Sequence, residues 1–268
     1  VGKAGSATSA TTVNLDGTAS TTDKVSLSAP GIITLETRSA QQVDVLDLSG
    51  NGAAVTYNMN ATADAPTTVT MSGSQDVTLN MTLAQSDALN AAAASGVTDN
   101  TTAGTTTVQI SDTVTNGKTF LKTKSDILEF QAAVTGASTF TVNNGATVNL
   151  TTVDQTNAFV LKVDDGATAN ATAGSMTLGL AKATTGAITT DQSADALTAI
   201  TVNVTDTAQT SLNLQAGATT DVTINSALAV TMNAAATAKS LNASGMTAAL
   251  SATLSANLKN ITGGSGDD

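Results

Sequence analysis

The sequence predicts an all-β protein, and within that class a β-solenoid, resembling a parallel β-helix or β-roll, built of short Thr/Asn/Val-rich strands with one or two short helical insertions. Three observations carry this expectation. Strands of alternating apolar and Thr/Asn residues recur along the chain: Val55-Thr56-Tyr57-Asn58, Val69-Thr70-Met71-Ser72, Val77-Thr78-Leu79-Asn80, Val148-Asn149-Leu150-Thr151, Val202-Asn203-Val204-Thr205, Val222-Thr223-Ile224-Asn225 and Val230-Thr231-Met232-Asn233. A period of two buries one face of each copy and wets the other. The copies are brief and self-similar, as expected where each rung buries its apolar side only against neighbouring rungs. Aromatic residues make up only 2% of the chain, with no Trp and one Tyr, so Val, Leu, Ile, Met, Ala and Thr must fill the interior, and small side chains suit a narrow one. A β-sandwich is the alternative, but it would call for aromatic anchors, longer strands and a steady supply of hairpin turns.

The elements follow in order. Residues 1–24 are rich in Gly, Ser, Ala and Thr and read as a linker or entering rung, with a strand near Val13-Asn14-Leu15 and a turn at Asp16-Gly17. A first β-repeat block spans 25–82, punctuated by Pro30-Gly31 and Ser49-Gly50-Asn51-Gly52. Residues 83–107 form an insertion. Leu83 to Ala94 is Ala-rich, lacks β-branched residues and is followed by Ser95-Gly96, which predicts a helix with Ser86 or Asp87 near its start. The polar stretch 97–107 after it suits a loop.

A second repeat block spans 108–262, resuming at Val108-Gln109-Ile110. Its least typical portion is Lys118 to Phe130, which carries three of the ten basic residues and two of the four Phe. Core packing in a wider rung is the plain reading of those apolar residues; a contact surface for a neighbouring acidic protomer is the functional one. Beyond it, strands centre near Thr141, Val148, Leu161, Ala169, Leu178, Ile188, Val202, Leu212, Ile224, Val230, Leu241, Ala249 and Leu258. Between Thr190 and Thr198 either a helical turn or a loop fits. Outward Thr and Asn from successive rungs should align as ladders.

Composition narrows the function. Without Cys there are no disulfides or thiolate metal sites, and without His the commonest general base and transition-metal ligand are missing. A net charge of −11 argues against nucleic acid as a partner. No run of about 18 apolar residues offers a membrane span, and the chain is read as a segment of a longer protein. The acidic residues are almost all Asp, with Glu only at Glu36 and Glu129. Asp suits turns and keeps a surface soluble, while clustered short carboxylates recruit Ca²⁺; both readings stand. Candidate clusters are Asp44 with Asp47, and Asp164-Asp165-Gly166.

The most specific motif is Gly263-Gly264-Ser265-Gly266-Asp267-Asp268, which reads G-G-x-G-x-D, the opening of a calcium-binding nonapeptide of parallel β-rolls. Its glycines permit a tight turn that presents backbone carbonyls, and Asp268 stands at the carboxylate position. With the Thr/Asn/Ala-rich strands, the acidic balance and the missing Cys and His, this motif resembles the repeat-containing portion of RTX-type bacterial surface-layer proteins exported by type I secretion. The likeness covers most of the chain in style and six residues in motif, and one copy is present where that family stacks several.

The resemblance implies calcium held at Gly263, Gly264, Gly266 and Asp268, and a secreted, non-enzymatic structural segment that assembles with copies of itself into a two-dimensional lattice on a Gram-negative cell. Cell-surface polysaccharide would be contacted through parts outside this segment, without membrane insertion. The stalk of a secreted adhesin is the alternative. A carbohydrate-active β-helix enzyme ranks third, because Arg38 is the only Arg and stands without a cationic cluster, and no aromatic-lined cleft is signalled.

Overall fold

A computed structural model describes residues 11–15, 23–37, 43–59, 66–91, 96–115, 117–135, 138–164, 173–191, 196–236, 238–254 and 258–266. The expected strand near Ala169, together with Arg38, Asp165 and Asp268, lies outside them. The described strands pair in parallel and form a β-solenoid of about nine turns with one short helix, which excludes the sandwich. The chain divides into two compact units, one of residues 1–111 and 122–129, the other of residues 112–121 and 130–268.

In the first unit, two long strands, Lys24–Thr37 and Val45–Met59, each serve two sides of the coil. Their front halves continue through Thr68–Gly73, Gly96–Thr101 and Thr123–Lys124. Their back halves continue through Val77–Met81 and Thr106–Ile110, with Thr11–Leu15 beside Ile33–Thr37. Alternation then places like over like: Leu46, Val69 and Val97 share one inward rank, and Ile33, Tyr57, Leu79 and Val108 share another, all buried. Each apolar residue is therefore covered by the rung above and the rung below, as the small-residue composition requires.

Most rungs take about 22 residues, the separation of the cross-rung pair Asn58 and Asn80; the next takes about 29, as between Asp76 and Thr105, because the helix Leu83–Ala91 is inserted. The helix is capped by Thr82, and Ser86, expected near its start, falls in its first turn. Thr82 Oγ1 accepts the Gln85 N–H at 3.2 Å and Gln85 Oε1 accepts the Thr82 N–H at 2.8 Å, a capping box that satisfies two donors at the helix start. Ser86 itself is buried. Further along, the Asn90 amide donates to Thr123 Oγ1 at 3.2 Å and accepts the Lys122 N–H at 3.0 Å, fastening the helix to the next rung. The polar stretch after the helix is also not the expected loop: Gly96–Thr101 is a strand, in which Asp99 pairs in register with buried Met71.

The second unit is a three-sided coil. One side stacks Thr147–Leu150, Gly174–Leu180, Leu197–Val204, Asp221–Ser226, Ser240–Met246 and Asn260–Thr262. Another stacks Lys118–Thr119, Ser138–Val142, Phe159–Val163, Ala187–Thr190, Gln209–Gln215, Val230–Ala236 and Leu250–Leu254. The third is short, with Val114–Thr115 on Val134–Thr135 and a single bridge from Gln155 to Thr184.

Phe120, Phe130, Phe140 and Phe159, all four Phe of the chain, run as a buried stack inside this unit, with successive centroids 5.5, 5.1 and 5.6 Å apart. These are ordinary spacings for aromatic pairs. Phe120 and Phe130 thus follow the core reading of the Lys118 to Phe130 segment.

Outside, the ladders form. Thr147, Thr177, Thr201 and Thr223 share one rank, and Asn149, Gly179, Asn203 and Asn225 the next. The Asn225 amide donates to Asn203 Oδ1 at 3.0 Å, and that of Asn80 to Asn58 Oδ1 at 3.3 Å. Glycine sits where an amide leans over the following rung: a Cβ on Gly179 would stand 2.1 Å from Asn149 Oδ1, and one on Gly245 2.2 Å from Asn225 Oδ1.

Candidate functional site

The carboxylates decide what this surface can do, and most of those with visible partners hold backbone. A strand that begins at a coil corner leaves an N–H without a ladder partner, and a short side chain one rung away can accept it. Asp44 Oδ2 accepts the Asp23 N–H at 3.0 Å, Asp76 Oδ1 the Thr105 N–H at 2.8 Å, Asp126 Oδ2 the Thr106 N–H at 2.8 Å and Asp154 Oδ1 the Ala183 N–H at 3.1 Å. Amides do the same work where burial forbids a charge. Buried Gln155 accepts the Val134 N–H and buried Gln209 the Thr184 N–H, each at 2.9 Å.

The densest constellation is one the sequence reading missed. Fully buried Thr106 places its hydroxyl 2.9 Å from Asp99 Oδ2 and 3.2 Å from Asp126 Oδ2, and accepts the Asp126 N–H at 3.0 Å. The other Asp99 oxygen accepts both the N–H and the hydroxyl of Thr101, each at 2.8 Å. An inward carboxylate is tolerated here because its lone pairs are met by neutral donors. Both carboxylates come from polar loop-like sequence, and only the register brings them to one threonine. Among the described residues, no three acidic side chains converge in a way that could hold a metal ion.

The residues singled out from sequence fall in three places. Asp44 and Asp47 lie on the first unit and are both engaged. Asp44 clamps Asp23, while Asp47 pairs with Lys24 at 2.6 Å and accepts the Ser26 hydroxyl at 3.3 Å. A cation at Asp47 would have to displace Lys24. Asp164 follows the strand Phe159–Val163, and its N–H donates to Val142 O at 3.0 Å; its neighbour Asp165 is outside the described residues.

Gly263, Gly264 and Gly266 continue the last described rung. The strand Asn260–Thr262 pairs with Ser240–Asn242, and the Ser265 N–H donates to Met246 O at 3.0 Å. A Cβ on Gly264 would stand 2.5 Å from Met246 O, and one on Gly266 2.4 Å from Ala248 C and O. Close approach to the corner below accounts for these two glycines, and the described part of the turn offers a cation backbone oxygens and the Ser265 hydroxyl but no carboxylate.

Among the described residues, two groups have shifted ionisation. Burial pushes the Tyr57 phenol up to about 12, and backbone hydrogen bonding at Ser49 and Ala29 offsets only part of that rise. Its hydroxyl lies 2.8 Å from Ser49 O and 3.1 Å from Leu27 O, so it closes the bend of the long strand. Hydrogen bonds from Lys239, at 2.8 Å, and from Ser240 hold the exposed Asp221 carboxyl below its usual range. Neither group sits in a described constellation of acid, base and nucleophile.

No family model, curated protein or solved structure matches the chain.

Proposed function

We propose that this chain is a non-enzymatic structural segment of a secreted bacterial surface-layer protein, which assembles with copies of itself into a Ca²⁺-stabilised two-dimensional lattice on the cell surface. The observation that carries this reading is the use of the described carboxylates. They fasten one rung to the next, the work of a stiff scaffold, and do not gather around a substrate-sized centre. The rank of Thr147, Thr177, Thr201 and Thr223, beside its Asn rank, adds a broad hydroxyl and amide surface on which Asp221 is already paired with Lys239. For a chain of net charge −11, such a surface lets copies approach with little like-charge repulsion.

Calcium in this reading belongs to the turn Gly263 to Asp268, with Gly263, Gly264 and Gly266 giving backbone oxygens and Asp268 the carboxylate. A site needs about six to eight oxygens, so further ligands must join from outside this turn. Contact with surface polysaccharide would fall to parts outside the segment, and nucleic acid has no role.

The test is a calcium titration of the protein, followed by light scattering and by melting temperature. Calcium should raise both and a chelator should reverse both, because an ion bound only by the folded, assembled form stabilises it. A protein whose scattering and melting temperature ignore calcium and chelator alike would sink the proposal.

A further inference from the structure

Two Asn-Gly pairs fall wholly within the described residues, and the fold treats them oppositely. In this dipeptide the glycine nitrogen, unhindered by a side chain, can attack the asparagine side-chain carbonyl. At Asn144-Gly145 both reacting groups are held. Asn144 Oδ1 accepts the Ser175 N–H at 2.9 Å and lies 3.4 Å from the Ser175 hydroxyl, while the Gly145 N–H donates to Ser175 O at 2.8 Å.

The Asn51 side chain of Asn51-Gly52 is not held in this way. Residues 51–54 are all exposed. They fall between the paired positions Gly50 and Val55 on one neighbouring rung, and between Ser49 and Val55 on the other, so neither rung offers them a register partner. Gly52 has φ 75°, and nothing lies within 4 Å of where its Cβ would be. Among the described residues, no side-chain hydrogen bond holds the Asn51 amide.

We infer that Asn51 is a self-modification site, at which the folded chain converts its own amide to a carboxylate. Base takes the Gly52 amide proton, and the Gly52 nitrogen attacks Asn51 Cγ. The new C–N bond closes a five-membered imide as the Cγ–Nδ2 bond breaks and ammonia leaves with a proton. Water then opens either imide carbonyl, leaving aspartate or isoaspartate. The iso form adds one methylene to the backbone, and it does so where the register already slips between Ala29 and Gly31, so the bulge can absorb it. Each event adds one negative charge to a chain already at −11.

The test incubates the full chain at mildly alkaline pH and then resolves its peptides by mass spectrometry and isoaspartate detection. In the folded chain, Asn51 should convert roughly thirtyfold faster than Asn144, the ratio expected if two net hydrogen bonds must open first. In concentrated urea the two sites should convert alike. Asn51→Gln, at an exposed position, should abolish the product at that peptide and leave Asn144 unchanged. Equal conversion of the two sites in the folded chain would overturn the inference, as would an Asn51 that survives folding but converts in urea.

Discussion

Phe140 is the place to perturb the core of the second unit. Its ring lies between Phe130 at 5.1 Å and Phe159 at 5.6 Å and is fully buried. Phe140→Ala removes the ring, leaves a cavity and forfeits two aromatic contacts, a loss of about 3 to 5 kcal/mol. With a urea slope of about 2 to 3 kcal/mol per molar, the unfolding midpoint should fall by roughly 1 to 2.5 M. Phe140→Leu keeps most of the volume and should cost about half as much. Thr141→Ala, on the outward side of the same strand, should change stability by less than about 0.5 kcal/mol.

Circular dichroism against urea gives the midpoints, and amide hydrogen exchange gives the location. Rungs contact only their neighbours, so protection should drop in Ser138–Val142 and Phe159–Val163 and hold in Ser240–Met246. Two results would refute the reasoning: an unchanged midpoint for Phe140→Ala, or an exchange increase spread evenly over the unit.

Tyr57 is the only tyrosine, so tyrosinate absorbance reports it alone. Folding favours its neutral form, so this stabilisation is complete below about pH 10 and is lost as pH rises through about 12, on the order of 3 kcal/mol in all; ionisation near pH 10 in a folded chain would contradict the burial. Asp126→Ala leaves the N–H of buried Thr106 without its acceptor and should cost about 1 to 3 kcal/mol, whereas Asp126→Asn keeps an acceptor and should cost less; urea midpoints in the reverse order would show that the clamp is not what matters. Lys239→Ala should raise the Asp221 pKa toward the ordinary value, as read from its carboxyl NMR shift. The Asp221 interaction is present above the ordinary carboxylate range and is lost as pH falls through the lowered pKa, and because the pair is exposed, salt should weaken it.

The alternation of Val, Thr and Asn was enough to announce stacked rungs, because a period of two and a self-similar unit are local properties of the chain. What escaped was everything that depends on register. Asp99 looks like a loop residue until its strand pairs with Thr68–Gly73, and Thr106 gives no sign of bridging it to Asp126. The Phe residues are also misleading: Phe120, Phe130 and Phe140 stand ten apart in sequence, half of a typical rung, so they meet only because opposite sides of a narrow coil share one interior. The helix start, by contrast, was readable. Thr82-Leu83-Ala84-Gln85 is a capping-box sequence standing just ahead of Ser86 and Asp87. The glycines of the terminal motif carry two meanings that sequence alone does not separate, calcium turn and close corner packing, and the contacts of Gly264 and Gly266 show the second without deciding the first.

Electron microscopy of the assembled protein, negatively stained with and without Ca²⁺, tests the scaffold proposal most directly. Ordered sheets or tubes that form with calcium and disperse with chelator are the expected result. Monodisperse rods under both conditions would contradict the lattice and turn the reading toward an adhesin stalk.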